Sequence, residues 1–280
     1  MPLPNLIIIG AMKCGTTSLH QYLSHHSDVF MSETKELDFF IESRNFKKGV
    51  EWYKQQFSDG FLVNGEASQN YTKREIDDQV AKRIFDMIPD AKLIYMVRDP
   101  IARIQSHFKD LKTYGYVEPN RDINDVVNED PKFSMFMTSY YYYQIKPYLD
   151  HFSRDQILFV QLESLNKSTL EVMNGVFRFL GISEWKSLPF GGDDKLNASS
   201  SKTVERPMMK SLRDSGTIEA VKKLIPLGLF RGLRDIIHPL VSTSLEMKTN
   251  QLSPDSIKIL KETMQDDLEK FKEVSGINYC

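Results

Sequence analysis

Leu6-Ile-Ile-Ile-Gly10-Ala-Met-Lys13-Cys-Gly15-Thr16-Thr17-Ser18 carries an apolar strand into a glycine-bracketed loop and then into a helix. Such a loop turns backbone N–H groups, a lysine and hydroxyls toward an anion at a helix N-terminus, the physical recipe for cradling phosphate. A Walker A loop reads Gly-x4-Gly-Lys-[Ser/Thr], with lysine directly after the second glycine. Gly10 and Gly15 keep that spacing, but Thr16 takes the lysine position and the lysine comes earlier, at Lys13. An ATPase built this way would lack the lysine for its β- and γ-phosphates. The arrangement suits a grip on a nucleotide's 5′-phosphate, with a cation near the bridging oxygen.

A second anion signal lies downstream. Ala91-Lys-Leu-Ile-Tyr-Met-Val97 reads as a buried strand. It ends in Arg98-Asp99-Pro100, and a helix is predicted from Ile101 to Lys112 with Pro100 in its first turn. Arg98 and Ser106, eight residues on, suit one oxyanion, the guanidinium as a fork and the hydroxyl as a donor.

With both stretches in view, the chain resembles sulfotransferases that use 3′-phosphoadenosine 5′-phosphosulfate (PAPS). Lys13-Cys-Gly15-Thr16-Thr17-Ser18 is similar to the family's 5′-phosphosulfate loop, and Arg98 with Ser106 to its 3′-phosphate pair. The resemblance implies that Lys13 contacts the bridging oxygen while Thr16, Thr17 and backbone N–H groups hold the 5′-phosphate. Cys14 in the loop reads as a small filler. Asn64-Gly-Glu66-Ala-Ser-Gln-Asn-Tyr71 resembles a segment of the heparan-sulfate-type branch and implies Glu66 as general base. The branch carries lysine and proline after the glutamate, where this chain has Ala67 and Gln69. His107, beside Ser106, is the alternative base. Tyr141 matches a family tyrosine near cofactor or acceptor, and Lys202 and Arg206 lie in a polar loop that in relatives closes over the 3′-phosphoadenosine.

The rest of the chain fits one domain over residues 1–280. Its 41% hydrophobic content can build a proper core. Strands at Leu6–Ile9, Val29–Met31, Phe61–Val63, Ala91–Val97 and Gln156–Gln161 alternate with helices near Thr17–Ser24, Val80–Ile88, Ile101–Lys112, Phe133–Phe152 and Leu170–Leu180. That order predicts a three-layer α/β/α fold around a mainly parallel sheet. Glu66 then falls just past a strand, at the edge where open α/β sheets bind ligands. Ser253 and Pro254 open a last amphipathic helix through about Phe271. Before that helix, residues 208–250 carry apolar patches without a clean helix period, read as a lid or specificity insertion.

Charge and cysteines narrow the classes. A net charge of −2 gives no global field for nucleic acid or membrane. It also disfavours long anionic glycans, leaving a small molecule or short glycoside as acceptor, sulfated on oxygen or nitrogen. Two cysteines, Cys14 and Cys280, make no disulfide framework. No apolar run nears the roughly 20 residues of a membrane span, and the chain begins at the strand itself. A cytoplasmic enzyme is therefore expected, with homo-oligomerisation open. No metal set is expected: His25 and His26 are adjacent, face different ways and lack further ligands. The alternatives are a P-loop kinase or NTPase, and a non-catalytic nucleotide-binding protein on the same fold.

Overall fold

The computed structural model describes residues 1–118, 120–130, 132–189 and 251–280, together with the backbone of 204–205 and 242–243. Five parallel strands form the sheet: β1 (Leu6–Gly10), β2 (Val29–Met31), β3 (Val63–Ala67), β4 (Lys92–Val97) and β5 (Ile157–Gln161), in the order β2-β3-β1-β4-β5. β1 is buried along its whole length, as a strand covered on both faces must be. Val204–Glu205 (β6) and Ser242–Thr243 (β7) make a separate antiparallel pair.

Helices cover both faces. On one side lie α1 (Thr16–Leu23) and the later α9 (Thr169–Leu180), joined by His26, whose ring lies 4.6 Å from Phe177. α9 stops at Gly181, whose φ of 80° ends the helix in the left-handed region. The other side holds α3 (Val80–Met87), α4 (Pro100–Thr113), α7 (Tyr141–Leu149) and the terminal α10 (Pro254–Ser275). Ser253 caps α10 by accepting from the Ser256 N–H, with Pro254 in its first turn. Phe271 of α10 is fully buried among Tyr95, Tyr141 and Phe159. Short helices α2 (Gly49–Lys54), α5 (Ile123–Glu129), α6 (Ser134–Met137) and α8 (Leu162–Lys167) were not legible as periodic segments.

Two boundaries differ from the sequence reading. The third strand is Val63–Ala67, not Phe61–Val63, because Val63, Asn64 and Gly65 pair with Val29, Phe30 and Met31. Leu62 lies outside it, 67% exposed. Glu66 therefore stands inside a strand rather than past its end. The single helix expected over Phe133–Phe152 is two, α6 and α7, separated at Tyr140. Side chains take the carbonyls there: Arg103 binds Met135 O at 2.6 Å and Gln144 binds Met137 O at 3.0 Å. Pro147 inside α7 has no N–H for Tyr143 O, and Arg74 supplies the donor instead.

Among the described residues no helix is long and apolar enough to cross a membrane. The expected insertion over 208–250 lies outside them, except for the backbone of Ser242–Thr243. Phe271→Ala should lower stability by about 3–5 kcal/mol, the usual cost of emptying a buried phenylalanine site. Urea unfolding should show a lower midpoint with an unchanged m-value.

Candidate active site at the carboxyl edge of the sheet

β1 is flanked by β3 and β4, so the carboxyl ends of all three strands meet at the point where chain connections diverge. The loop after β1 is pinned there. The Ala11 N–H donates to Met96 O at 2.8 Å, and the Ser68 N–H to Ile8 O at 3.1 Å. Both glycines have positive φ, 153° and 88°, which L side chains rarely adopt. A Cβ on Gly10 would stand 2.3 Å from Thr72 Oγ1, and one on Gly15 2.5 Å from Leu162 Cδ1. Gly15, at φ 88°, precedes α1, and no side chain caps that helix. The N-terminus of α1, where helix N–H groups favour anions, thus opens directly from the loop.

Loop and helix distribute the expected ligands. Lys13 has φ 69° and pairs with Asp110 of α4, Nζ to Oδ1 3.0 Å. Thr16 is buried, Ser18 half-buried and Thr17 exposed. Cys14 is fully buried; burial pushes its thiol up to about 12, so it stays protonated. Its Sγ lies 3.8 Å from Tyr141 Oη.

Tyr141 organises the end of β4. Its hydroxyl donates to Arg98 O at 2.6 Å and accepts from the Arg98 N–H at 3.3 Å. Arg98 is thus held by its backbone, with a half-buried side chain. Asp99 accepts from the Ala102 N–H at 2.7 Å and starts α4 behind Pro100. Ser106 sits one turn before Asp110 on that helix, so the face carrying Ser106 fronts the loop that carries Lys13. Of the four consecutive tyrosines only Tyr141 is buried; Tyr143 is exposed.

The carboxylates divide into a buried one and an accessible one. Glu66 is fully buried. Its Oε1 accepts from the Tyr53 and Tyr71 hydroxyls (2.5 and 2.9 Å) and its Oε2 from Ser68 (2.8 Å). Burial raises its pKa from 4.5 to about 7, against those three hydrogen bonds. Glu36 follows β2 with φ 62° and keeps a quarter of its side chain exposed. Its N–H donates to Ala67 O, at the end of β3, and its Oε2 accepts from the Gln69 N–H, both at 2.9 Å. Lys35 pairs with its Oε1. Asp38, at φ 47°, is buried and paired with Arg44. Non-glycine residues in this conformation are strained and gather at functional sites.

His107 is placed against proton acceptance. It is buried, with Arg103 Nη1 3.3 Å from its Nδ1. A guanidinium only donates, so Nδ1 is the accepting nitrogen. Burial, Arg103, Lys73 and Lys13 together push its pKa down to about 2. The ring stays neutral and is a weak base.

The other histidines hold backbone. His20 meets Ser32 O, His25 meets Gln21 O, and His26 bridges Ser183 O and the Asp28 N–H. Among the described residues no cluster of three His, Cys, Asp or Glu is arranged to hold a metal. Lys202 and Arg206 lie outside the described residues.

Sequence reasoning missed Glu36, Lys73, Arg103 and Asp110. Asp110 had a signal, its four-residue spacing from Ser106. Glu36 and Asp38 lie in a charged stretch directly after a strand, at the ligand-binding edge. Lys73 and Arg103 carried none.

Comparisons with known proteins bear on the family and the fold. The family described as "Sulfotransferase domain" matches residues 3–272. The bifunctional heparan sulfate N-deacetylase/N-sulfotransferase 1 of Caenorhabditis briggsae is 28% identical over 204 residues, covering 65% of this chain and 23% of that protein. The heparan sulfate glucosamine 3-O-sulfotransferase 5 of Mus musculus is 30% identical over 190 residues, covering 64% of this chain and 54% of its own. The chain thus spans only a quarter to a half of these relatives' lengths. A sulfotransferase crystal structure from Alicyclobacillus acidocaldarius shares the fold, with TM-score 0.65 and 22% identity over 98% of this chain and 96% of that one. With the family match running over nearly all of its length, this chain belongs to the sulfotransferase domain family.

Proposed function

We propose that this protein transfers a sulfuryl group from PAPS to a hydroxyl or amine of a small molecule or short glycoside, releasing 3′-phosphoadenosine 5′-phosphate (PAP). The observation that carries this reading is the pair of anion sites on neighbouring strand ends. Lys13 and the uncapped start of α1 follow β1, and Arg98 with Ser106 follows β4. Two separated phosphates on one nucleotide match two such points. Lys13 would steady the charge that develops on the leaving phosphate, once the donor takes Asp110's place beside it. Arg98 and Ser106 would hold the 3′-phosphate. Thr16, Thr17, Ser18 and the loop N–H groups, with Cys14 filling space beneath, would hold the 5′-phosphate. Tyr141 would act through the Arg98 backbone, and Lys202 and Arg206 would close over the nucleotide.

Transfer is in-line and needs a base on the acceptor side. The sequence points to Glu66, and a pKa near 7 suits a base. Exposure favours Glu36 as a second reading, because Glu66 is sealed under three donors while Glu36 reaches solvent at the same edge. His107 is a poor third. A reducing, cytoplasmic setting fits the low cysteine content, and a net charge of −2 fits a small acceptor better than a long polyanion. A P-loop kinase is disfavoured by Thr16 in the lysine position.

Calorimetry should show PAP binding more tightly than ATP or ADP, with Arg98→Ala weakening PAP by at least about tenfold, or about 1.4 kcal/mol. A preference for ATP, or indifference to Arg98, would return the kinase reading. For the base, substitution by glutamine should cut kcat on the order of 10²–10⁴-fold while PAP affinity stays unchanged. That outcome is expected for Glu66→Gln, with kcat rising through about pH 7 in wild type; the same loss in Glu36→Gln, with Glu66→Gln active, would give the role to Glu36.

Glu66 also predicts a stability profile. Its folded pKa, about 7, lies above the ordinary 4.5, so between those values the folded state holds a proton that the unfolded chain has released. Its contribution to stability is therefore complete below 4.5 and is lost as pH rises through 7. Glu66→Gln should flatten that part of the curve in denaturant titrations against pH.

A further inference from the structure

We propose that Lys73 is a second cation of the donor site, binding the sulfuryl oxygens that PAPS has and PAP lacks. The inference rests on the sulfotransferase reading and deepens it. Lys73 follows Thr72, the residue packed against Gly10 at the mouth of the loop. Its Nζ lies 2.9 Å from Sδ of Met12, the neighbour of Lys13. The ammonium is thereby seated on the phosphate loop itself, from the β3 side, whereas Asp110 and Ser106 approach from α4.

A thioether is a weak acceptor and cannot neutralise an ammonium. Among the described residues no carboxylate comes within ion-pair distance of Lys73. The charges acting on it are the cations Arg103 of α4 and Arg44 after β2 and the carboxylates Glu36 and Glu75, while the neighbouring His107 is neutral. Arg103 acts on it more strongly than either carboxylate, and neither Glu36 nor Glu75 pairs with it. A largely buried ammonium in such surroundings is costly unless an anion joins it, and the anion this loop is shaped for is the phosphosulfate. The 5′-phosphate already has Lys13 and the start of α1. The sulfuryl group, further out along the donor, is the part without a cation of its own.

The protonation of Lys73 makes the idea testable. Burial and Arg103 push its pKa down to about 8, so the free protein loses this charge at mildly alkaline pH. An arginine in its place would stay charged. PAP and PAPS binding should be compared by calorimetry in wild type, Lys73→Gln and Lys73→Arg, at about pH 7 and about pH 9.5, on either side of the Lys73 pKa.

Wild type should bind PAPS more tightly than PAP at the lower pH and lose that margin at the higher one. Lys73→Gln should lose at least about fivefold in PAPS affinity, roughly 1 kcal/mol, with PAP affinity held within about twofold. Lys73→Arg should keep the margin at both pH values. Equal losses for PAP and PAPS, or no loss for either, would overturn the role of Lys73 while leaving a PAP-binding enzyme in place. Failure of the wild type to bind PAP would overturn the sulfotransferase reading, and Lys73's role with it.

Discussion

The pairing of β1 on both of its edges constrains everything else at this site. β3 and β4 hold β1 in parallel register, Leu6 opposite Gly65 on one side and Lys92 on the other. The loop that leaves β1 therefore emerges between two strand ends rather than beside one. The Ala11 and Ser68 N–H groups extend the ladder past the strands themselves. Within that frame the loop has little freedom, and the positive φ at Gly10 and Gly15, with Thr72 and Leu162 packed close, favours glycine at both. Strand pairing thus sets backbone geometry, and backbone geometry aims the N–H groups.

Electrostatics then follow from what lies under the loop. Arg103 is fully buried and held by Ser139 Oγ, Met135 O and His107. None of those partners carries a negative charge, so its field extends to Cys14, His107 and Lys73. A buried cation satisfied only by dipoles burdens the fold, since desolvation is not offset by a counterion. In return it makes the surroundings of the loop favourable to anions before any ligand arrives. Burial is the first cause of the neutrality of His107 and of the lowered pKa of Lys73, and that field is the second.

Legibility followed locality. The Gly10–Ser18 loop, the Arg98-Asp99-Pro100 turn, the Gly181 stop and the Ser253-Pro254 start are short-range devices, and each stands where its residues indicated. The third strand did not, because Phe61-Leu62-Val63 is the more apolar stretch while pairing with β2 chooses Val63–Ala67. The break between α6 and α7 was hidden for the same reason. Local spacing favours a continuous helix, and distant Arg103 and Gln144 capture the carbonyls that would continue it. Lys73 and Glu36 are ordinary charges in loops, and only the meeting of strand ends far apart in sequence gives them neighbours.

The two cysteines divide the molecule's covalent chemistry. Cys14 is sealed beneath the loop as a thiol and offers no thiolate to an alkylating reagent. Cys280 is exposed. Its neighbour Tyr279 packs 6.0 Å from the Tyr141 ring and approaches Glu163, which in turn accepts from the Asp99 N–H beside Arg98. A maleimide dye added to the native protein would mark one sulfur only, a few contacts from the nucleotide's expected seat. The chain thus carries a ready-made fluorescent reporter position for its own ligand, with no engineered cysteine.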